Sequence, residues 1–360
     1  MSIETISTPA ITEARRQIDI CNACRYCEGY CSAFPAITRL RQFSDSDISQ
    51  IANLCHNCRG CYYACQYTTP HEFDLNLPRA LAEVRNESWQ DFIWPRGIVR
   101  LFQKQAWATV LATVLGFAAI FALMRSIGSS SNGIGFYAVL SHTVMVAIFL
   151  PAFLLPVFSI GLGLRSYWRD LGGQRIKMAH LVDAFAQAAS MRNLAGGHGD
   201  GCNFEQEERY SGARKHAHHA VMYGFLLCFA STSVATLLHY VFDMPAPYPL
   251  LSAPKILGLV GGVMLTCGCV WMLALRRHAE AKLSDPSVRS AETAFIVLLG
   301  FVAATGLALY ALGSTVWMPA LLAIHLGSVL SFFLLTPYTK MAHGFFRLAA
   351  LVRDAQQRDG

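Results

Sequence analysis

Two cysteine-rich stretches near the start of the chain decide how its first part folds. The first reads CNACRYCEGYC over residues 21–31, and the second reads CHNCRGCYYAC over residues 55–65. Both have the spacing C-x2-C-x2-C-x3-C, which is typical of bacterial ferredoxins that hold [4Fe-4S] clusters. Each cluster needs four thiolates. The two runs therefore predict two [4Fe-4S] clusters.

The ligands of each cluster follow from a rule of ferredoxin folding, in which the last Cys of each run binds the other cluster. The rule predicts two sets: Cys21, Cys24, Cys27 and Cys65 for the first cluster, and Cys55, Cys58, Cys61 and Cys31 for the second. A structural zinc site usually has two separated C-x2-C pairs, whereas each run here has a third Cys in the same loop. Disulfides would need an oxidising compartment and cysteine pairs at bridging distance.

The residues between the two runs favour helices. Residues 44–54 begin with helix-start residues and continue with apolar residues at helical spacing. The alternating strands of a small βαβ ferredoxin are missing from this pattern. We therefore expect residues 1–100 to form a helical two-[4Fe-4S] ferredoxin-like domain.

The composition indicates that much of the remaining chain faces lipid. Of the 360 residues, 54% are hydrophobic and 14% are charged, whereas a soluble domain is nearer a quarter charged. An apolar segment of about 20 residues can cross a bilayer. Six such segments are predicted at about 105–124, 137–160, 219–241, 256–275, 293–312 and 319–338. The predicted fold is all-α, with a six-helix transmembrane bundle over residues 101–360.

The basic residues predict the orientation of this bundle. The loop 165–218, the loop 276–292 and the C-terminal tail together carry sixteen Lys and Arg residues, and the other loops carry only Arg125 and Lys255. Because Lys and Arg mark the cytoplasmic side, both termini and the cluster domain are expected in the cytoplasm, at a bacterial inner membrane. The first hydrophobic run begins about a hundred residues in, so no secretory signal peptide is expected. The sequence has no basic stripe interleaved with aromatic residues, so nucleic-acid binding is not expected.

Histidines at the ends of two predicted spans are candidate haem ligands, because ionisable residues at membrane depth are commonly functional. In the third span His218 lies at the inner end and His239 at the outer end. In the sixth span His325 lies near the outer end, and His343 lies just beyond the inner end. The spans run antiparallel. They predict an inner b haem between His218 and His343 and an outer b haem between His239 and His325.

Several alternatives remain for these histidines. His218 is about 60° around the helix from His239, and His219 is roughly 160° away, which favours His218 as the inner ligand over His219 and His216. His142 could replace one outer ligand or line a quinone pocket. All of these histidines could also be structural or belong to a quinone site.

The long loop 165–218 contains an amphipathic stretch near residues 176–191 and a glycine-rich piece that ends at Cys202. This piece has no preceding strand and no G-x-G-x-x-G, so it is not a dinucleotide fingerprint. A turn-rich packing or docking loop is expected, with a flavin or substrate contact as the alternative. The four cysteines outside the two runs are scattered, and at least three lie in apolar segments, where Cys is commonly a small hydrophobe.

Three stretches make this sequence resemble the tricarballylate/citrate utilisation protein B family. They are the second cysteine run at 55–65, YGFLLCFASTS at 223–233 and TPYTKMAHGF at 336–345. The sixth span is also similar to the haem-bearing helix of respiratory nitrate reductase gamma subunits. The family resemblance covers nearly the whole chain and implies the cluster-binding role for the eight cysteines.

The resemblance also implies a membrane electron shuttle. Such a protein reoxidises the reduced FAD of a partner tricarballylate dehydrogenase and passes electrons to membrane quinone. Alternatives are a subunit of a heterodisulfide-reductase-like or other respiratory oxidoreductase, a tricarboxylate transporter, and a redox-sensing membrane protein. The first lacks its expected adjacent Cys-Cys pair, and a transporter would leave the eight cysteines unexplained. The sequence contains no evident nucleophile–base set, so no catalytic residue is predicted.

Overall fold

The computed structural model describes residues 7–30, 33–126, 140–195, 201–203 and 210–359. Its N-terminal part consists of short helices. Those among the described residues are α1 (Pro9–Cys24), α2 (Phe34–Thr38), α3 (Asp45–Leu54), α4 (Gly60–Tyr63), α5 (Leu77–Phe92) and α6 (Ile98–Lys104).

The predicted helix between the cysteine runs is present as α3. Ser44 caps its N-terminus by accepting from the backbone of Asp47, whose carboxylate accepts in return from the Ser44 backbone. This reciprocal pair satisfies two of the backbone donors that a helix start leaves open. The helix then ends at Leu54, so that Cys55 begins the second cysteine run in extended backbone.

In the described part of the chain six long apolar helices follow, and they confirm the predicted all-α fold. Each is long and apolar enough to cross a membrane. They are α7 (Ala106–Ser126), α8 (His142–Asp170), α10 (Ala213–Tyr240), α11 (Ala253–His278), α12 (Arg289–Leu312) and α13 (Met318–Leu335), with α9 (Met178–Ser190) between the second and third. The predicted start of the second span, at 137–139, lies outside the described residues.

Small residues allow the third and fourth of these helices to approach closely. A Cβ added at Gly224 of α10 would lie 2.6 Å from the backbone nitrogen of Leu265 on α11, and one at Gly261 would lie 2.8 Å from the backbone nitrogen of Cys228. Real Cβ atoms do not come this close. The crossing of α10 and α11 therefore depends on glycine at both positions.

The last helix, α14 (His343–Asp359), returns to the N-terminal part. Its residues Ala350, Leu351 and Val352 are buried in the same hydrophobic core as Ile18 of α1 and Ile51 of α3. The core of the cysteine-bearing part is thus completed from the far end of the chain. Residues 1–100 do not enclose that core alone.

The described part of the loop between α9 and α10 contains a small antiparallel sheet. Strand β1 (Cys202–Asn203) pairs with strand β2 (Tyr210–Ser211), with Cys202 opposite Ser211. The amphipathic stretch predicted at 176–191 is present as α9, whose Ala184 packs into the core shared with α14.

Candidate metal centres

The first cysteine run and the end of the second run meet at one small cavity. Cys21, Cys24, Cys27 and Cys65 all line it. Arg25 ends α1 in the left-handed region, with φ 55°, and its N–H donates to the carbonyl of Cys21. Cys65 thus lies with the first run and not with its own.

The chemistry of these four thiols fits a metal cluster. Burial and the neighbouring thiols raise the pKa of Cys21 to about 12 and that of Cys27 to about 11, so bare thiolates are unfavourable here. Metal ligation supplies the positive charge that thiolates need. Among the described residues no group of three or more potential ligands is close enough for a single metal ion. Four thiols that line one cavity are the number that a [4Fe-4S] cluster requires.

The rest of the second run forms a loop between α3 and α4. Cys58 and Cys61 are buried, and Cys55 is half-buried. Two residues of the loop, Asn57 and Arg59, have positive φ values of 54° and 70°, which turns the chain sharply. Cys31, predicted as the fourth ligand of this site, lies outside the described residues.

Three arginines from distant helices hold this loop through its backbone carbonyls. Arg85 of α5 and Arg347 of α14 both donate to the carbonyl of Cys55, the latter at 2.8 Å. Arg347 also donates to the Asn53 carbonyl at 3.0 Å, and Arg214 of α10 donates to the Asn57 carbonyl at 2.7 Å. Burial and the nearby cations lower the pKa of Arg347 to about 9. The loop is thus bound to a transmembrane helix and surrounded by positive charge.

A cavity of about 500 Å³ lies between this loop and the transmembrane helices. Its walls include His56, His218, His343 and the three arginines just described. This volume is within the usual range for a bound small molecule or cofactor, roughly 300–1,000 Å³. The cavity therefore connects the second cysteine loop to the predicted inner histidines.

The predicted inner histidines face each other across this cavity. The ring centroids of His218 and His343 are 5.9 Å apart, with their planes at 70°. Two imidazoles on opposite sides of one metal, each bonded at about 2 Å, would have centroids roughly 6 Å apart. The Nδ1 of His343 is paired with the Lys340 carbonyl, which leaves Nε2 for a metal. The Nδ1 of His218 is buried and has no hydrogen-bond partner among the described residues.

The protonation state of His343 also suits metal binding. Burial, and then the positive charge of Arg347, hold its pKa well below the usual value. The imidazole is therefore neutral, as a metal ligand must be. Of the other two inner candidates on α10, His219 packs against Tyr223 at 5.6 Å. The Nε2 of His216 lies 3.4 Å from the position that a Cβ of Gly212 would occupy. On these observations the inner pair fits a bis-histidine haem.

The predicted outer pair does not form a comparable arrangement. The ring of His239 stacks on His142 at 4.3 Å, and the Nδ1 of His325 is 3.1 Å from the Thr305 hydroxyl on α12. No ring contact between His239 and His325 is found within the described ranges. His142 thus lies beside His239, one of the alternatives that the sequence left open, and the outer haem at His239 and His325 stays a prediction.

The site includes charged residues that sequence reasoning did not identify. Glu292 of α12 accepts from Arg276 of α11 at 2.7 Å and from Lys340 beyond α13. The position of Glu292 close to the start of the fifth predicted span could have indicated these ion pairs, because an acidic residue at membrane depth requires a basic partner. The three loop-binding arginines gave no such signal, since Arg at a span end is ordinary.

Comparison with known proteins agrees with this architecture. The family model for citrate utilization protein B matches residues 101–360, and the model for the Fer4-like domain of that protein matches residues 14–91. Citrate utilization protein B of Escherichia coli is 39% identical over 359 residues, covering 98% of this chain and 94% of its own length. No solved structure matches. The chain belongs to the citrate utilization protein B family.

Proposed function

We propose that this protein transfers electrons from a reduced flavoprotein to membrane quinone. The proposed carriers are one [4Fe-4S] cluster at Cys21, Cys24, Cys27 and Cys65, a second in the loop of Cys55, Cys58 and Cys61, and a b haem at His218 and His343. The sequence predicts Cys31 as the fourth ligand of the second cluster. The observation that carries the proposal is the cavity shared by the second cysteine loop and the two facing imidazoles.

The positions of the two cysteine sites support a direction for the electrons. The first site lies near the surface, where Tyr26 beside it is 66% exposed. The second is bound by Arg214 of α10 and Arg347 of α14 and borders the cavity. Electrons would enter at the first site and leave toward the membrane from the second.

The residues of the chain position the carriers and set their electrostatics. When bound, the clusters and the haem would each accept one electron at a time, which lets a two-electron flavin serve a quinone in single steps. Lys340 fixes the ring of His343 through its carbonyl. The arginines place positive charge beside the second cluster, which favours its reduced form. His218 and His343 together would hold the haem iron with no position left open for oxygen, which suits electron transfer.

The partner and the location follow from the family resemblance and the charge distribution. The proposed donor is an FAD-dependent tricarballylate dehydrogenase, on which the substrate chemistry would take place. The basic loops support a bacterial inner-membrane location with both termini in the cytoplasm. The proposed route ends at the inner haem, because a ring contact like that of His218 with His343 is not found between His239 and His325 among the described residues.

The test is an assay of iron, acid-labile sulfide and haem on detergent-purified protein, followed by a turnover assay in vesicles. We expect about eight cluster irons and one b haem per chain, and quinone-dependent oxidation of the reduced flavoprotein. Clusters without haem would leave a quinone reductase supplied directly by the second cluster. Vesicles with intact centres that fail to oxidise the flavoprotein would contradict the proposal.

A further inference from the structure

Each of the two facing histidines has an arginine one helical turn away. Arg214 precedes His218 by four residues on α10, and Arg347 follows His343 by four residues on α14. Residues that are four apart lie on the same face of an α-helix. Both arginines line the same cavity as the two imidazoles. The cavity therefore has two guanidinium groups beside the proposed ligands of the haem iron.

The two arginines lie on one side of the histidine pair. Arg347 donates through Nε to the Asn53 carbonyl and through Nη2 to the Cys55 carbonyl. Arg214 donates through Nη1 to the Asn57 carbonyl. These three carbonyls belong to one short stretch of the chain, the start of the second cysteine loop. Guanidinium groups from two different helices thus meet on the side of the cavity where that loop lies.

Arg347 has donors that remain available for another acceptor. A guanidinium carries five N–H donors in a planar fork, and Arg347 uses Nε and Nη2 for the two carbonyls. Its Nη1 has no acceptor among the described residues, and no carboxylate in the described part of the chain pairs with it. Because the side chain lines the cavity, a carboxylate bound there could accept from Nη1. Carboxylates match the geometry of this fork.

The charge of the cavity wall also favours an anionic ligand. The described residues that line the cavity include seven Arg and Lys residues but three Asp and Glu residues. An oxidised [4Fe-4S] cluster with four thiolates carries about two negative charges, so a second cluster would offset only part of this excess. Buried charges need partners of opposite sign. A ligand with two carboxylates would supply the remaining negative charge.

We infer that Arg214 and Arg347 bind the two propionate carboxylates of the proposed haem. Both propionates of a b haem extend from the same edge of the porphyrin, and both arginines lie on the same side of the histidine pair. This inference rests on the proposed function, because it assumes a haem at His218 and His343. The same two side chains would then hold the second cysteine loop and the haem, and so fix the distance between the two proposed carriers.

The experiment compares haem with its dimethyl ester, in which both carboxylates are replaced by uncharged groups. Full-length protein from haem-deficient cells is purified in detergent and titrated with each compound, and the Soret absorbance reports binding. One hydrogen bond to a charged group changes an affinity by about tenfold or more. We therefore expect the wild-type protein to bind haem roughly a hundredfold more tightly than the ester. Arg214→Gln and Arg347→Gln should each reduce this preference by about tenfold.

Arg353→Gln is the control, since Arg353 is also on α14 but is not among the residues that line the cavity. It should keep the wild-type preference. A substitution that only distorted the site would weaken the binding of haem and of the ester equally, so the ratio of the two affinities identifies the ion pairs.

Equal affinities of the wild-type protein for haem and the ester would overturn the inference, and so would a wild-type ratio in either Arg214→Gln or Arg347→Gln. If these variants do not fold, the comparison of the two compounds on the wild-type protein still decides. A preference for haem then supports the inference, and its absence overturns it. Wild-type protein that binds neither compound would instead contradict the haem of the proposed function.

Discussion

At the scale of single residues, the proposed inner haem depends on which histidine of α10 faces His343. Within the described residues His218 makes that contact, whereas His219 packs against Tyr223. We therefore expect His218→Ala to remove the b haem while both clusters remain. The measurement is the optical spectrum of the dithionite-reduced protein together with its haem content.

His219→Ala is the matched control, because it removes a neighbouring imidazole from the same helix and should keep a full haem content. Loss of haem in His219→Ala but not in His218→Ala would assign the ligand to the other face of α10. Full haem content in both variants would exclude His218 and His219 as haem ligands. The haem content of His343→Ala would then test whether the cavity binds haem at all.

Arg347 is the second residue with a specific expected effect. Its guanidinium donates to the Cys55 and Asn53 carbonyls at the second cysteine loop, so its charge would stabilise the reduced form of the proposed second cluster. At an effective dielectric constant of about 20 and a separation of roughly 8 Å, one charge is worth about 2 kcal/mol, or roughly 90 mV for one electron. We expect Arg347→Gln to lower the reduction potential of the second cluster by tens of millivolts, measured by EPR-monitored titration.

Arg353→Gln is the control for charge on the same helix. Arg353 donates to Gln356 on α14 at 3.4 Å and lies six residues from Arg347, so its loss should leave the potential of the second cluster nearly unchanged. Equal shifts in the two variants would indicate a general effect of net charge. A higher potential in Arg347→Gln would contradict the tuning role.

At the scale of elements, α10 carries both His218 and Arg214, so its packing against α11 positions the site. Gly224 lies at the crossing, where a Cβ would be 2.6 Å from the nitrogen of Leu265. We expect Gly224→Leu to force the helices apart, to cost about 1–3 kcal/mol as overpacking does, and to lower haem occupancy. Thermal unfolding in detergent and the haem content per chain are the measurements.

Gly116→Leu provides the comparison on another apolar helix, since a Cβ at Gly116 of α7 meets nothing within 4 Å. It should leave both unfolding temperature and haem content unchanged. If Gly224→Leu behaves in the same way, the approach of α10 to α11 is not needed to place His218.

At the scale of the whole molecule, periodic and spaced patterns were predictable and long-range contacts were not. The spacing around Cys21 and Cys55 predicted the cysteine loops, and apolar run lengths predicted the six long helices, because both signals are local. The pairing of His142 with His239 depends on how two helices rotate against each other. The approach of Cys202 to Cys58 depends on the path of a long loop. Sequence spacing does not specify either contact.

The C-terminal helix α14 gives the clearest consequence of such long-range packing. Ala350, Leu351 and Val352 are at most 3% exposed and complete the N-terminal core. Burying one Val or Leu side chain contributes about 1.5–3 kcal/mol, while a whole protein is stable by only about 5–15 kcal/mol. We therefore expect a chain ending after Gly344 to lose most of its cluster iron, even though every cysteine and His343 remain.

A chain ending after Gln357 is the control for this truncation. It lacks the pairs of Arg358 with Asp183 and Asp354 and the pair of His180 with Asp359. The removed side chains Arg358 and Asp359 are exposed, and ion pairs of exposed side chains contribute little, so this chain should keep the full iron content. Iron and sulfide analysis of both truncated chains, with EPR of the reduced protein, distinguishes the two. Wild-type cluster content in the shorter chain would show that residues 1–100 fold without α14, and the electron-entry domain would then be separable from the membrane part. If only the chain ending after Gly344 loses iron, the cluster domain forms only after the last transmembrane helix has been made. The reason is that residues of α14 complete its core.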